Sequence, residues 1–233
     1  MNNYEAWLQL EEELIGAYCQ KTLKRMVCVT LPLVIVIMAV VFGILGFIGE
    51  GKAQAALEGA LSGAVFGVII SAIMLLFSLL NLRASKYVNQ IKKSVDELGI
   101  ADWEKDELGQ EMLEAYRAKK QTIFYDISAP GQGNSTPAHF MLTPHYCVLV
   151  GSSPYCILVR FSDVERMGTS IEKKVATRRG GKSKTTYYFS LYCIDFYGKN
   201  GEDTPFTAMG FLEPELREKV LSMLEGAVIK ISD

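Results

Sequence analysis

The sequence predicts a membrane α-helical hairpin joined to an α+β domain, the latter a partly open seven-stranded antiparallel barrel capped by a C-terminal helix. Three observations carry this. Two long apolar runs stand close together in the first third of the chain. From Gln121 onward the pattern alternates with period two and is rich in β-branched and aromatic residues. The chain then closes on one amphipathic helical stretch.

The first apolar run is Met26 to Ile48 and the second is Gly59 to Leu82. A span needs about 20 apolar residues to cross a hydrocarbon core of roughly 30 Å. Between Met26 and Leu82 the ionisable side chains apart from Cys28 are Glu50, Lys52 and Glu58, all in one short interval. A soluble core would have to bury two helices with no polar face, which a chain of 233 residues can hardly do. The first run follows a Glu-rich stretch and lacks a small-residue cleavage site, so it does not read as a signal peptide. Lys21, Lys24 and Arg25 precede the hairpin and Arg83, Lys86, Lys92 and Lys93 follow it, whereas the connecting loop carries Lys52 alone. Positive charge collects on the cytoplasmic side, so a multi-pass protein of the cell membrane with both termini cytoplasmic is expected. The five cysteines would then be reduced thiols, and none has CxxC spacing.

Within the second span, Ala55, Gly59, Gly63, Gly67 and Ser71 recur every fourth residue. Helices in lipid associate by close packing, and small residues four apart make a face that lets backbones approach. Gly43, Gly46 and Gly49 form a looser set in the first span. The small face fits packing of the two spans on each other, a homodimer, or docking on another membrane protein's helix.

The remaining elements follow in order. Residues 1–25 hold an amphipathic helix with Trp7, Leu10, Leu14 and Tyr18 near helical spacing, placed at the membrane surface or against the soluble domain. The hairpin occupies 26–83. Connector helices fill 84–120: one through "ASKYVNQIKKSVDELG", stopping at Gly99, and one in "ADWEKDELGQEMLEAYRAKK", striped by Leu108, Met112, Leu113 and Tyr116. The domain at 121–233 contains strand candidates "QTIFYDI", "AHFMLT", "HYCVLVG", "PYCILVRF", "DVERMGTSIEKKVA", "KTTYYFSLYCIDFYG" and "TPFTAMGF". Turn chemistry separates them, as in "APGQGNSTP", "GSSP", "RRGGKS" and "GKNGED". "LEPELREKVLSMLEGA" is the closing helix, with Leu216, Val220, Leu221 and Leu224 inward.

The stretch "HFMLTPHYCVLVGSSPYCILVRFSDVERM", then "YYFSLYCIDFYGKNGE" and the final helix, resembles the pleckstrin-homology-like (PH-like) domains that small bacterial two-span membrane proteins carry on the cytoplasmic side. The resemblance covers about the last half of the chain and is one of pattern. It implies a binding or scaffolding module at the cytoplasmic membrane face, and it transfers no catalytic residue.

Candidate sites divide by chemistry. "ATRRGGKS" mimics a phosphate loop, but such a loop joins a buried strand to a helix, and here a polar, alternating segment precedes and a strand, not a helix, follows. The same loop gathers Lys173, Lys174, Arg178, Arg179, Lys182 and Lys184. Each basic residue near an anionic leaflet contributes about 1 kcal/mol, so Arg178, Arg179, Lys182 and Lys184 are candidates for contact with anionic lipid or an acidic partner, against the plain alternative of a solvated loop. His139, His145 and Cys147 are zinc-type ligands without a fourth member or ligand spacing. No nucleophile motif, paired acids or intramembrane charge is present, so neither enzymatic activity nor a cofactor is expected. The net charge of −2 gives no case for nucleic acid. In "TTYYFSLYCIDFY" both strand faces are apolar, which calls for cover by the connector helices or by a partner. The expected function is a noncatalytic membrane protein presenting a binding domain. The alternative is an accessory subunit docked through the glycine face.

Overall fold

The structure, a computed structural model, describes residues 2–118, 120–128, 136–151, 155–180, 183–199 and 203–228. The chain divides into two compact units, one of Met1–Glu12 with Ser85–Asp233 and one of Glu13–Ala84. Helix α1 (Asn3–Arg25) gives its first turns to the former and the rest to the latter.

In the second unit, α1 runs on through a π-helical turn at Met26–Thr30 into α2 (Leu31–Glu50) without a break. Pro32 explains the widened turn, because its ring nitrogen has no hydrogen for the carbonyl one turn back. Gly51, in the left-handed region at φ 65°, ends α2 by donating its N–H to the Phe47 carbonyl. Helix α3 (Ala53–Asn81) returns along α2. Both helices are long and apolar enough to cross a membrane. Their large side chains, among them Val36, Ile44, Ile48, Leu61, Val65, Ile69 and Phe77, are exposed, and α3 buries only Gly63, Gly67 and Ser71. This hairpin therefore joins by its small residues and turns its large ones outward, the reverse of a water-soluble helix pair.

The first unit is layered. Strands β1 (Thr122–Ile127), β2 (Thr136–Leu142), β3 (Tyr146–Gly151) and β4 (Tyr155–Arg160) form a four-stranded antiparallel sheet in sequence order. Strands β5 (Val164–Gly180), β6 (Ser183–Gly198) and β7 (Thr207–Phe211) form a second sheet of three, also antiparallel, followed by helix α6 (Pro214–Val228). All the strands read from the alternation form, but the two sheets do not close into one barrel. Among the described residues β1 and β7 are outer strands of their sheets.

The sheet of β1–β4 buries both faces, which is why every residue of β3 is buried. On one face lie the start of α1, helix α4 (Ala84–Glu97) and helix α5 (Asp102–Arg117), packed through Trp7, Ile91, Val95, Leu108 and Met112 on Met141, Val148 and Leu158. On the other face Phe140, Cys147, Leu149 and Val159 meet Ile194, Phe196, Met209 and Phe211 of the second sheet and Val220 and Leu224 of α6. Residue parity sorts the two cores: neighbours in a strand go to opposite sides.

Of the two placements open to the N-terminal helix, the membrane surface or the soluble domain, its first turns take the second. Trp7 and Leu8 are core residues. Gly109 allows this docking, since a Cβ there would stand 2.3 Å from the Tyr4 backbone nitrogen. The Asp106 carboxylate accepts from the Asn3 backbone N–H at 2.6 Å and from its amide at 3.1 Å. The expected stop after α4 appears, with Gly99 left-handed at φ 64°, and α5 is capped at its start by the Glu104 carboxylate accepting from the Ala101 N–H at 3.0 Å.

Candidate functional site

Of the basic residues singled out in the sequence, Lys173, Lys174, Arg178 and Arg179 lie on β5 and Lys184 on β6. β5 and β6 pair from Val164–Gly198 to Gly180–Ser183, whereas β6 pairs with β7 only over Tyr192–Phe196. From Glu172–Leu191 outward the pair is thus a two-stranded ribbon, roughly 30 Å long at about 3.3 Å per residue. A ribbon of two strands is only marginally stable by itself in water, so its exposed apolar side chains require an explanation.

Cross-strand register sets its faces. Ile171 lies opposite Tyr192, Lys173 opposite Ser190, Val175 opposite Tyr188, and Thr177 opposite Thr186. On this face Ile171 and Val175 are exposed and Tyr188 is 80% exposed, beside exposed Lys173. Lys184, near the ribbon's end, is also exposed. Tyr187, Phe189 and Leu191 occupy the opposite face and are half-buried. The connector helices supply none of this cover: α4 and α5 pack against the sheet of β1–β4.

The four candidate contact residues fall as follows. Arg178 sits on the described part of β5 and is exposed. The Arg179 side chain and all of Lys182 lie outside the described residues. Lys174 forms an ion pair with Glu172, and that hydrogen bond holds its ammonium pKa above the ordinary value. The segment with the phosphate-loop spacing runs from strand to strand, with no helix to offer its N-terminus.

The zinc-type residues do not converge. His139 and Cys147 face opposite sides of the sheet: His139 Nε2 is 3.0 Å from Oε1 of Glu11, while Cys147 lies in the core against the second sheet. His145 is at the exposed β2–β3 turn, bonded to Glu111. Among the described residues no group of three or more His, Cys, Asp or Glu could hold a metal. Burial pushes the Cys147 thiol far up and that of Cys156 up to about 12, so neither is a ready thiolate.

Local patterning missed one buried polar cluster. Oε1 of Glu11, in α1, accepts from the Trp7 indole at 3.0 Å and also meets His139 of β2, and both Glu11 and His139 are buried. Oε2 of Glu11 has no partner among the described residues. The two ends of this contact are separated by 128 residues, beyond the reach of any periodicity.

The glycine face is occupied within the chain. A Cβ at Gly59 or Gly63 would stand 2.4 Å from the carbonyl oxygen of Phe42 or Met38, and one at Gly67 would stand 2.8 Å from the Ile35 Cα. Ser71 completes the row by donating to the Leu31 carbonyl at 3.4 Å. No protein-family model, curated protein or solved structure matches the chain.

Proposed function

We propose that this is a noncatalytic integral membrane protein whose α2–α3 hairpin anchors a PH-like binding and scaffolding domain at the cytoplasmic face, both termini included. The observation that carries the reading is the β5–β6 ribbon, basic and aromatic at once. Exposed Tyr188, Val175 and Ile171 with Lys173 and Lys184 on the same face suit an anionic surface, where rings and aliphatic groups settle at the headgroup level and cations meet phosphate. The outward large side chains of α2 and α3 support the anchor, and the order of four strands, three strands and a closing helix supports the PH-like assignment.

The test uses the full chain, because residues 1–12 belong to the domain's core. Reconstituted into neutral or anionic nanodiscs, with an environment-sensitive dye on Tyr188→Cys, it should show a blue-shifted emission in anionic lipid alone. Half-molar salt, or Ser at 178, 179, 182 and 184, should remove the shift. Equal emission in both lipids would reject the membrane contact and assign the ribbon to an acidic protein. Docking as an accessory subunit through the glycine face is disfavoured by its occupation by α2.

A further inference from the structure

The two faces of the β5–β6 ribbon differ in charge. On the face of Tyr188, neither the stretch from Ile171 to Thr177 nor that from Lys184 to Tyr192 contributes an acid, because alternation sends Glu172 to the other side. There Glu172 is paired with Lys174. The cations of the Tyr188 face are also spread out. Lys173 lies opposite Ser190, and Ser190 is six residues along β6 from Lys184, roughly 20 Å at about 3.3 Å per residue. Val175 and Tyr188 stand between the two lysines, and Tyr188, the most exposed of the chain's exposed large hydrophobic side chains, projects where a pocket would have its floor.

We propose that the ribbon takes as its ligand a patch of several singly charged phospholipid headgroups, each lysine meeting its own, and not one multiply phosphorylated headgroup. This inference rests on the membrane contact proposed above and names its chemistry. A site for a single polyphosphate gathers its cations around a concavity. Here the cations are apart and the ground between them is raised. A membrane surface fits that shape, with the ring and the valine settling among headgroups and a phosphate under each lysine. Docking then follows the density of surface charge, whatever the identity of the headgroup.

The test uses the full chain in nanodiscs, with an environment-sensitive dye on Thr177→Cys in a Cys28→Ser background. Two disc series, matched in total lipid charge, carry phosphatidylserine or a phosphatidylinositol bisphosphate. The ratio of docked to free ribbon, read from the blue shift, should be equal in the two series at equal charge. In phosphatidylserine, Lys173→Gln and Lys184→Gln should each lower that ratio about fivefold, which is about 1 kcal/mol per cation. Together they should lower it about twenty-five-fold, because separate contacts are lost independently. Both positions are exposed, so the thermal melt should stay unchanged. Docking by the bisphosphate at a charge where phosphatidylserine gives none would overturn the inference, as would a double variant no weaker than either single one. The membrane contact itself survives those two results. A dye that shifts in neither series removes that contact, and the inference with it.

Discussion

Glu11 shows how one side chain can tie distant parts of a chain together. Its Oε1 serves both the Trp7 indole and the His139 ring, in a place with almost no water. Leaving such buried donors without an acceptor costs about 1–3 kcal/mol for each group. Glu11→Ala should therefore lower stability by about 2–5 kcal/mol, and Glu11→Gln, which keeps an oxygen, by clearly less. Trp7 provides the readout: in a Trp103→Phe background its emission reports the core alone, and the red shift on heating gives the midpoint. If both variants melt alike, the carboxylate oxygen is not what holds the site. The buried thiols predict a pH dependence of definite sign. Cys147 and Cys156 keep their protons above the ordinary thiol value near 9, Cys156 up to about 12, whereas an unfolded chain releases them from about pH 9. The unfolded state then binds fewer protons, so stability falls as pH rises through this window, by about 1.4 kcal/mol per pH unit and per thiol, with full stability retained below pH 8. Urea midpoints at pH 7.5 and 10 should differ less in the Cys147→Ala/Cys156→Ala variant.

At the scale of elements, the close contacts are made by glycine. Gly109 touches the backbone of Tyr4, and Gly63 touches that of Met38. In neither case is the obstacle a flexible side-chain end, so an added methyl has nowhere to go and overpacking of this kind costs about 1–3 kcal/mol. Gly109→Ala should destabilise the layered domain while leaving the hairpin intact. Gly63→Val should part α2 from α3, read as loss of a disulfide engineered between them. The ribbon behaves oppositely: Tyr188→Ser, at an 80% exposed site, should change the melt by less than about 0.5 kcal/mol while reducing the proposed lipid contact. The strands were legible because alternation, β-branched residues and Gly/Pro/Asn turns mark them. The ribbon's reach was not. Beyond Ala176 the residues are Thr, Arg, Arg and Gly, which carry no alternation and read as a turn, yet register continues to Gly180 because the partner strand "KTTYYF" supplies the β propensity.

For the molecule as a whole, the hairpin could be read from composition, and the α+β order from pattern. Two things lay outside local sequence. One is that the sheets stay separate, since closure depends on strand edges that no periodicity describes. The other is that the first residues belong with the last. Trp7 packs on residues that follow the hairpin, Val88 to Leu158 among them, and an amphipathic stripe says which face is buried without naming what buries it. Deleting residues 2–12 should therefore lower the domain's melt by an amount comparable with Trp7→Ala, about 3–5 kcal/mol, measured by circular dichroism in the same detergent.

That inserted arrangement has a consequence for the order of synthesis. Trp7 and Leu8 leave the ribosome ahead of their partners, since the strands and helices they pack on are translated after both apolar helices. At about 5–20 residues per second, the N-terminal segment waits several seconds with a tryptophan and a leucine uncovered. The layered domain is completed from its own beginning only once its last strands exist. The usual N-to-C progression of folding is reversed at this one seam.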